Sequence, residues 1–178
     1  MNAGTERLVN VIQGDYSISD DESEILTTVL GSCIAVCMFD PIRGIGGMNH
    51  FLLPSREGAE GANVRYGAYA MELLINGMLK QGAERSRIQA KIFGGASMMG
   101  NLRDIGSSNA KFAKGFLADE EIPCIAESTG GTSARRIRFW PTTGRVRQLL
   151  VTGDVEQLPV EKPKLPERPA KTDDIVLF

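Results

Sequence analysis

The stretch "SCIAVCMFDPIRGIGGMNHFLLP", residues 32–54, constrains this chain more than any other. Cys33 to Phe39 is almost continuously apolar and bounded by polar residues, the pattern of a buried strand. "DPIR" follows, with proline at a favoured turn position. "GIGGMNHFLL" is then a second strand, glycine-rich at its start and ended by Pro54. If Asp40–Arg43 form the loop of a hairpin, Phe39 pairs with Gly44. Cys33 then sits directly opposite His50, with Cβ atoms about 5 Å apart on one face. Loop length sets this register, and a one-residue slip would put the two side chains on opposite faces.

The hairpin holds two of the three cysteines and the only histidine of the chain. A free thiol, with a pKa of about 8.5, is only slightly ionised at neutral pH. A neighbouring imidazole can take its proton and later deliver that proton to a leaving amine. A third group usually fixes the imidazole tautomer, and Thr27 and Thr28 lie just upstream. Gly31 lets the chain turn tightly before Ser32 and Cys33, where backbone N–H groups can bind an oxyanion. Residue pattern alone leaves two alternatives open. Cys33 is a nucleophile with His50 as its base, or it is a small core hydrophobe. A zinc site from Cys33, Cys37 and His50 matches no common ligand spacing, so no metal is expected. Cys37, on the same face as Cys33, and Cys124, in the apolar "IPCIAE", read as core residues.

Elsewhere the chain reads as an α+β domain, with helices covering sheet faces. "RLVNVIQGDYSIS" is a strand and turn, and "SREGAEGANV" is a loop. The helix in "RYGAYAMELLINGMLKQG" carries Tyr66, Tyr69, Leu73, Leu74, Gly77 and Met78 at helical spacing and stops at Gly82. "RIQAKIFGG" is a strand entering a glycine turn, and "NAKFAKGFLADEE" is a second helix, capped by Asn109. "IPCIAE" is a buried strand, and "ARRIRFW" and "RVRQLLV" form a hairpin around "PTTG". "FGGASMMG" fits neither common phosphate-loop pattern and reads as a tight turn near the rim of the site. Arg135, Arg136, Arg138, Arg145 and Arg147 read as a solvated sheet face or edge, with a patch for acidic helices as the alternative.

Pro159, Pro163, Pro166 and Pro169 lie among lysines and glutamates, so the globular domain spans residues 1–152 and an extended tail spans 153–178. The tip "DDIVLF" reads as a frayed terminus, or else it docks on the body or a partner. A net charge of −2 gives no basic field for nucleic acid or an anionic membrane. No signal peptide and no apolar run of about 20 residues is readable. A cytoplasmic protein with reduced thiols is expected.

"TTVLGSCIAVCMFDP" followed by "GGMNHFLLP" resembles the chemoreceptor glutamine deamidase family, CheD. The resemblance continues through "KIFGGASMM", "IGSSNAKF" and "ESTGGTSARRIRF", in the family's order, and covers most of residues 7–152. It implies a two-sheet β-sandwich flanked by helices, similar to toxin-type glutamine deamidases. It implies hydrolysis of particular glutamine side chains on methyl-accepting chemotaxis proteins to glutamate and ammonia, without a metal or organic cofactor. Cys33 matches the family's nucleophile, His50 its catalytic histidine, and Thr27 the threonine of its triad, with the adjacent Thr28 as the alternative. Ser32 and Gly31 fall in the active-site turn, and "STGGTSARR" helps to shape the substrate cleft. A CheC-like phosphatase is the further partner that the resemblance implies.

Overall fold

In a computed structural model, residues 4–53, 60–98, 105–151 and 175–178 are described, with residues 60, 62, 63 and 175 by backbone alone. Ten strands and two helices follow one another in the order β1 Arg7–Asn10, β2 Tyr16–Ser19, β3 Glu24–Leu30, β4 Ile34–Asp40, β5 Ile45–Phe51, α1 Glu60–Lys80, β6 Gln89–Gly94, α2 Ile105–Asp119, β7 Cys124–Thr129, β8 Ala134–Phe139, β9 Val146–Val151 and β10 Ile175–Leu177. They form two five-stranded sheets. The central sheet has the order β2-β5-β4-β6-β7 and the outer sheet β1-β3-β8-β9-β10. Most neighbours run antiparallel, but β1 pairs with β3, and β6 with β7, in parallel.

Strand β4 explains the layering. Every one of its residues is buried, because its two faces enter two different cores. Ile34, Val36 and Met38 pack with Met71, Leu74, Ile75 and Met78 of α1 and Leu117 of α2. Ala35, Cys37 and Phe39 meet Leu26, Leu30, Ile137, Phe139 and Val146 of the outer sheet. Each large side chain so buried contributes roughly 1.5–3 kcal/mol. A strand covered on both faces has no polar positions to alternate, hence the continuous apolar run. Both helices lie on the same side of the sandwich, against the central sheet.

The β4–β5 hairpin has the register Ala35↔His50, Phe39↔Gly46 and Asp40↔Ile45. The loop is therefore Pro41–Gly44, one residue later than the sequence reading placed it. Asp40 belongs to the strand because its buried carboxylate accepts hydrogen bonds from the Ile42, Arg43 and Glu84 N–H groups and from Arg87. Gly44, at φ +70°, closes the turn by donating to the Asp40 carbonyl. The pairing is shifted by two residues from the expected one, so Cys33 is not directly opposite His50. A two-residue shift preserves faces. Cys33 and His50 remain on the inter-sheet side as diagonal neighbours.

Other expectations change for similar local reasons. Helix α1 begins inside the segment read as a loop, of which residues 55–59 lie outside the described part. It buries Gly67, Met71, Leu74, Ile75 and Met78, while Tyr66 and Tyr69 stay exposed. It ends at Lys80, and Gly82, φ +100°, stops it as the sequence indicates. Helix α2 begins at Ile105, which makes Asn109 an interior residue and not its cap. β7 is an edge strand, so Cys124 and Ile125 are exposed, not core residues. Cys37 is fully buried. The arginines do not form one solvated face. Arg135 is buried, and Arg145 stacks on the Trp140 ring at 3.9 Å. The chain's end is not frayed. β10 pairs with β9, and the Phe178 ring meets Phe93 edge-on. Of the Pro-rich tail read over 153–178, residues 153–174 lie outside the described residues, as does residue 152. Among the described residues, no helix is long and apolar enough to cross a membrane.

Candidate active site

The site forms where β3, β4 and β5 end together between the sheets. Gly31, Ser32 and Cys33 make the turn from the outer sheet to the central one. All three carbonyls of this turn are held. Gly31 O accepts from Ala96 N–H at 3.0 Å, and Cys33 O from Gly95 N–H at 2.8 Å. Ser32 O accepts from the Asn109 carboxamide at 2.9 Å. In a trans peptide the N–H points away from the preceding carbonyl. Fixing the Gly31 and Ser32 carbonyls therefore aims the Ser32 and Cys33 N–H groups away from those partners. The Cys33 N–H lies near enough to its own sulfur to favour the thiolate.

The glycines of "FGGAS" are explained by this contact. Gly94 and Gly95 have φ of +113° and +65°, and a Cβ on Gly94 would run into the Cys33 carbonyl. The "STGG" loop braces them in turn, with Gly130 N–H donating to Gly94 O at 3.0 Å and Ser97 N–H to Gly131 O at 2.8 Å. The buried Arg135 guanidinium holds that loop through the Ser128 and Gly130 carbonyls. Two of the glycine-rich segments singled out in the sequence are thus stacked supports behind the cysteine turn.

His50 is 7% exposed and is held from one side. Its Nδ1 is 3.0 Å from the Val11 carbonyl and 3.0 Å from Thr28 Oγ1. A carbonyl can only accept, so Nδ1 carries the proton and Nε2 keeps its lone pair. The segment after β1 also grips the backbone, as Gly14 N–H donates to His50 O at 2.7 Å and His50 N–H to Asp15 O at 3.1 Å. His50 Nε2 is buried without a hydrogen-bond partner among the described residues. Burial lowers the imidazole pKa below its ordinary value, against the Val11 hydrogen bond, which raises it.

The thiol of Cys33 is half-buried, and its pKa is pushed up to about 11 by that burial, although its own N–H pulls it down. Its hydrogen bond goes to Gln13 Oε1 at 3.4 Å. Burial thus works against the charged form of both the thiol and the imidazole. The threonine beside His50 is Thr28, because alternate residues of β3 point to opposite faces. Thr27 faces away from the inter-sheet layer and donates to the Ile137 carbonyl at 2.8 Å. Among the described residues, no group of three His, Cys, Asp or Glu side chains is arranged to hold a metal ion.

Two residues here escape sequence reasoning. Asn109 is fully buried, and besides holding Ser32 O it accepts from Leu53 N–H at 3.0 Å, tying the cysteine turn to the chain just past His50. A polar residue on the apolar stripe of a helix was its signal. Gln13 sits on an exposed turn and carries none.

Comparison with known proteins shows the family of the chain. The sequence model of the CheD family, described as CheD chemotactic sensory transduction, matches residues 52–149. A protein of Caulobacter sp. (strain K31), named "Probable chemoreceptor glutamine deamidase CheD", is 54% identical over 99% of this chain and 96% of its own. One of the same name from Caulobacter vibrioides (strain NA1000 / CB15N) is 56% identical over 96% of this chain and 92% of its own. Among solved structures, the Bacillus licheniformis hypothetical protein YfiH is similar at 17% identity and a TM-score of 0.43, covering 70% of this chain and 60% of that one. The family model begins just past His50, but the two Caulobacter relatives span the whole site, and the chain belongs to the CheD family.

Proposed function

We propose that this chain is a chemoreceptor glutamine deamidase. It converts specific glutamine side chains on the cytoplasmic helices of methyl-accepting chemotaxis proteins to glutamate, and it works in the cytoplasm. The observation that carries the chemistry is the state of His50. Its Nδ1 is fixed by the Val11 carbonyl, and its Nε2 is a buried base with no partner among the described residues, on the face it shares with Cys33.

Cys33 Sγ attacks the carboxamide carbon of the substrate as its proton passes to His50 Nε2. The tetrahedral oxyanion is received by the Ser32 and Cys33 N–H groups, a contribution typically worth about 10²–10³ in rate for each donor. The imidazolium gives its proton to the departing amine, ammonia leaves, and a thioester remains. His50 then takes a proton from water, hydroxide adds to the thioester carbon, and the thiol leaves with glutamate as product. Thr28, not Thr27, is the third member of the set, because it shares the Nδ1 proton with Val11 O. Burial of both groups keeps them neutral until substrate arrives, so the proton moves within the complex and not beforehand.

The test is conversion of a receptor cytoplasmic fragment, read by mass spectrometry as a gain of about 1 Da per site. Cys33→Ala and His50→Ala should each lose activity by about 10⁴-fold or more, with folding intact. Cys37→Ala should retain it, as the fully buried Cys37 thiol is pushed far up in pKa. Undiminished conversion by Cys33→Ala would end the mechanism.

A further inference from the structure

The two groups that must exchange a proton are not hydrogen-bonded to each other at rest. The thiol's hydrogen bond goes to Gln13 Oε1, while His50 Nε2 has no partner among the described residues. The acceptor on the sulfur is therefore a primary carboxamide, the functional group that a glutamine deamidase takes as substrate. Gln13 is not there by chance of a free loop. It lies on the turn of residues 11–15, whose Val11 carbonyl, Gly14 N–H and Asp15 carbonyl all bond to His50. That turn crosses from the outer sheet at β1 to the central sheet at β2 and passes directly over the site.

We infer that Gln13 is a resident substrate mimic, and that its carboxamide marks the subsite for the substrate's primary amide. This rests on the deamidase reading above. In the resting enzyme the mimic orients the S–H toward itself, so the proton is not directed at Nε2 and the thiol stays protonated. An incoming glutamine side chain displaces Gln13, which is exposed and so free to swing outward. The thiol then turns to His50. Competition of this kind reduces apparent affinity by the fraction of enzyme in which the subsite is open. The contact should set a threshold that an extended receptor helix passes and free glutamine, with no further contacts, does not.

The experiment uses the full chain and two readouts. The first is the alkylation rate of Cys33 by iodoacetamide at near-neutral pH, assigned by peptide mass spectrometry because Cys124 is also exposed. The second is kcat/KM on a receptor fragment. Gln13→Ala and Gln13→Met both remove the carboxamide, and methionine keeps most of the bulk. Both variants should alkylate about two- to tenfold faster, the equivalent of one neutral hydrogen bond, and should raise kcat/KM through a lower KM. Gln13→Glu should alkylate more slowly than wild type, since a carboxylate beside the sulfur opposes the thiolate. Equal or slower alkylation in Gln13→Ala and Gln13→Met overturns the inference, and acceleration in Gln13→Ala alone overturns it too, because a bulky plug would then suffice. Alkylation does not depend on deamidation. Faster alkylation in a chain that deamidates no receptor would leave the contact standing and remove the proposed function instead.

Discussion

The two ends of the β4–β5 hairpin treat a buried polar side chain in opposite ways. At the turn end, Asp40 is fully buried and fully satisfied, with three contacts to Arg87 and three to backbone N–H groups. At the other end, His50 is nearly as buried but keeps Nε2 without a partner among the described residues, and the half-buried thiol beside it rests on a glutamine carboxamide. Burial opposes charge at both ends. At Asp40 the guanidinium and the N–H groups outweigh it and hold the carboxyl well below the usual range. At Cys33 and His50 nothing outweighs it, and both pKa values move against the charged form. The turn end spends its polar groups on folding, whereas the open end leaves them free for the chemistry proposed above. A buried group left unsatisfied in a native structure calls for such a reason.

The sharpest way to break this comparison is at the satisfied end. Asp40→Ala strands three backbone N–H groups and leaves the Arg87 guanidinium, one-third exposed, with Glu84 as its remaining partner. The expected loss is about 3 kcal/mol of stability, read as a lower urea midpoint at unchanged slope. Deamidation per folded molecule should stay near wild type. A loss under about 1 kcal/mol would show that the hairpin turn does not depend on the carboxylate.

At the open end the adjacent threonines separate function from stability. Thr28→Val removes one of the two acceptors at Nδ1 and should lower kcat about tenfold, with Val11 O still holding the tautomer. Thr27→Val loses the bond to Ile137 O, costs about 1 kcal/mol of stability and leaves kcat alone. The reverse pattern would restore Thr27 to the triad.

Those two residues also show where sequence reading stops. The apolar run of β4 announced a buried strand, and the glycines of "FGGAS" announced a tight turn. Such features are local, set by period and by φ. The hairpin register was missed by two residues because it depends on Asp40 staying in the strand, and Asp40 stays there through Arg87, which is distant in sequence. Thr27 and Thr28 are chemically identical, and only the pairing of β3 with β8 decides which one faces the inter-sheet layer. The same holds for Cys124, whose apolar neighbours gave no sign that β7 is an edge. Gln13 required the crossing between sheets. What sequence leaves out is the contact between elements far apart in the chain, and the site is made of such contacts.

The smallest effect expected is a displacement of pH profiles, and it tests the comparison most directly. Burial lowers the pKa of His50 in the folded state, so the contribution of its neutral form to stability is complete above the unfolded value of about 6.5 and is lost as pH falls toward the folded value. Asp40 is lowered too; its contribution is complete above about 3.9 and is lost only further down, as pH falls through its folded value. The two ends of the hairpin should therefore fail in separate acid windows, with His50 failing first. For turnover, the acid limb of kcat/KM should have its midpoint below 6.5, because the active form carries neutral imidazole. The Cys33 thiol of the free enzyme should titrate at about 11 when followed by alkylation. A midpoint for that thiol below the ordinary value of about 8.5 would mean that a thiolate–imidazolium pair exists before substrate binds. The open end would then be charged at rest, and the contrast with Asp40 would no longer hold.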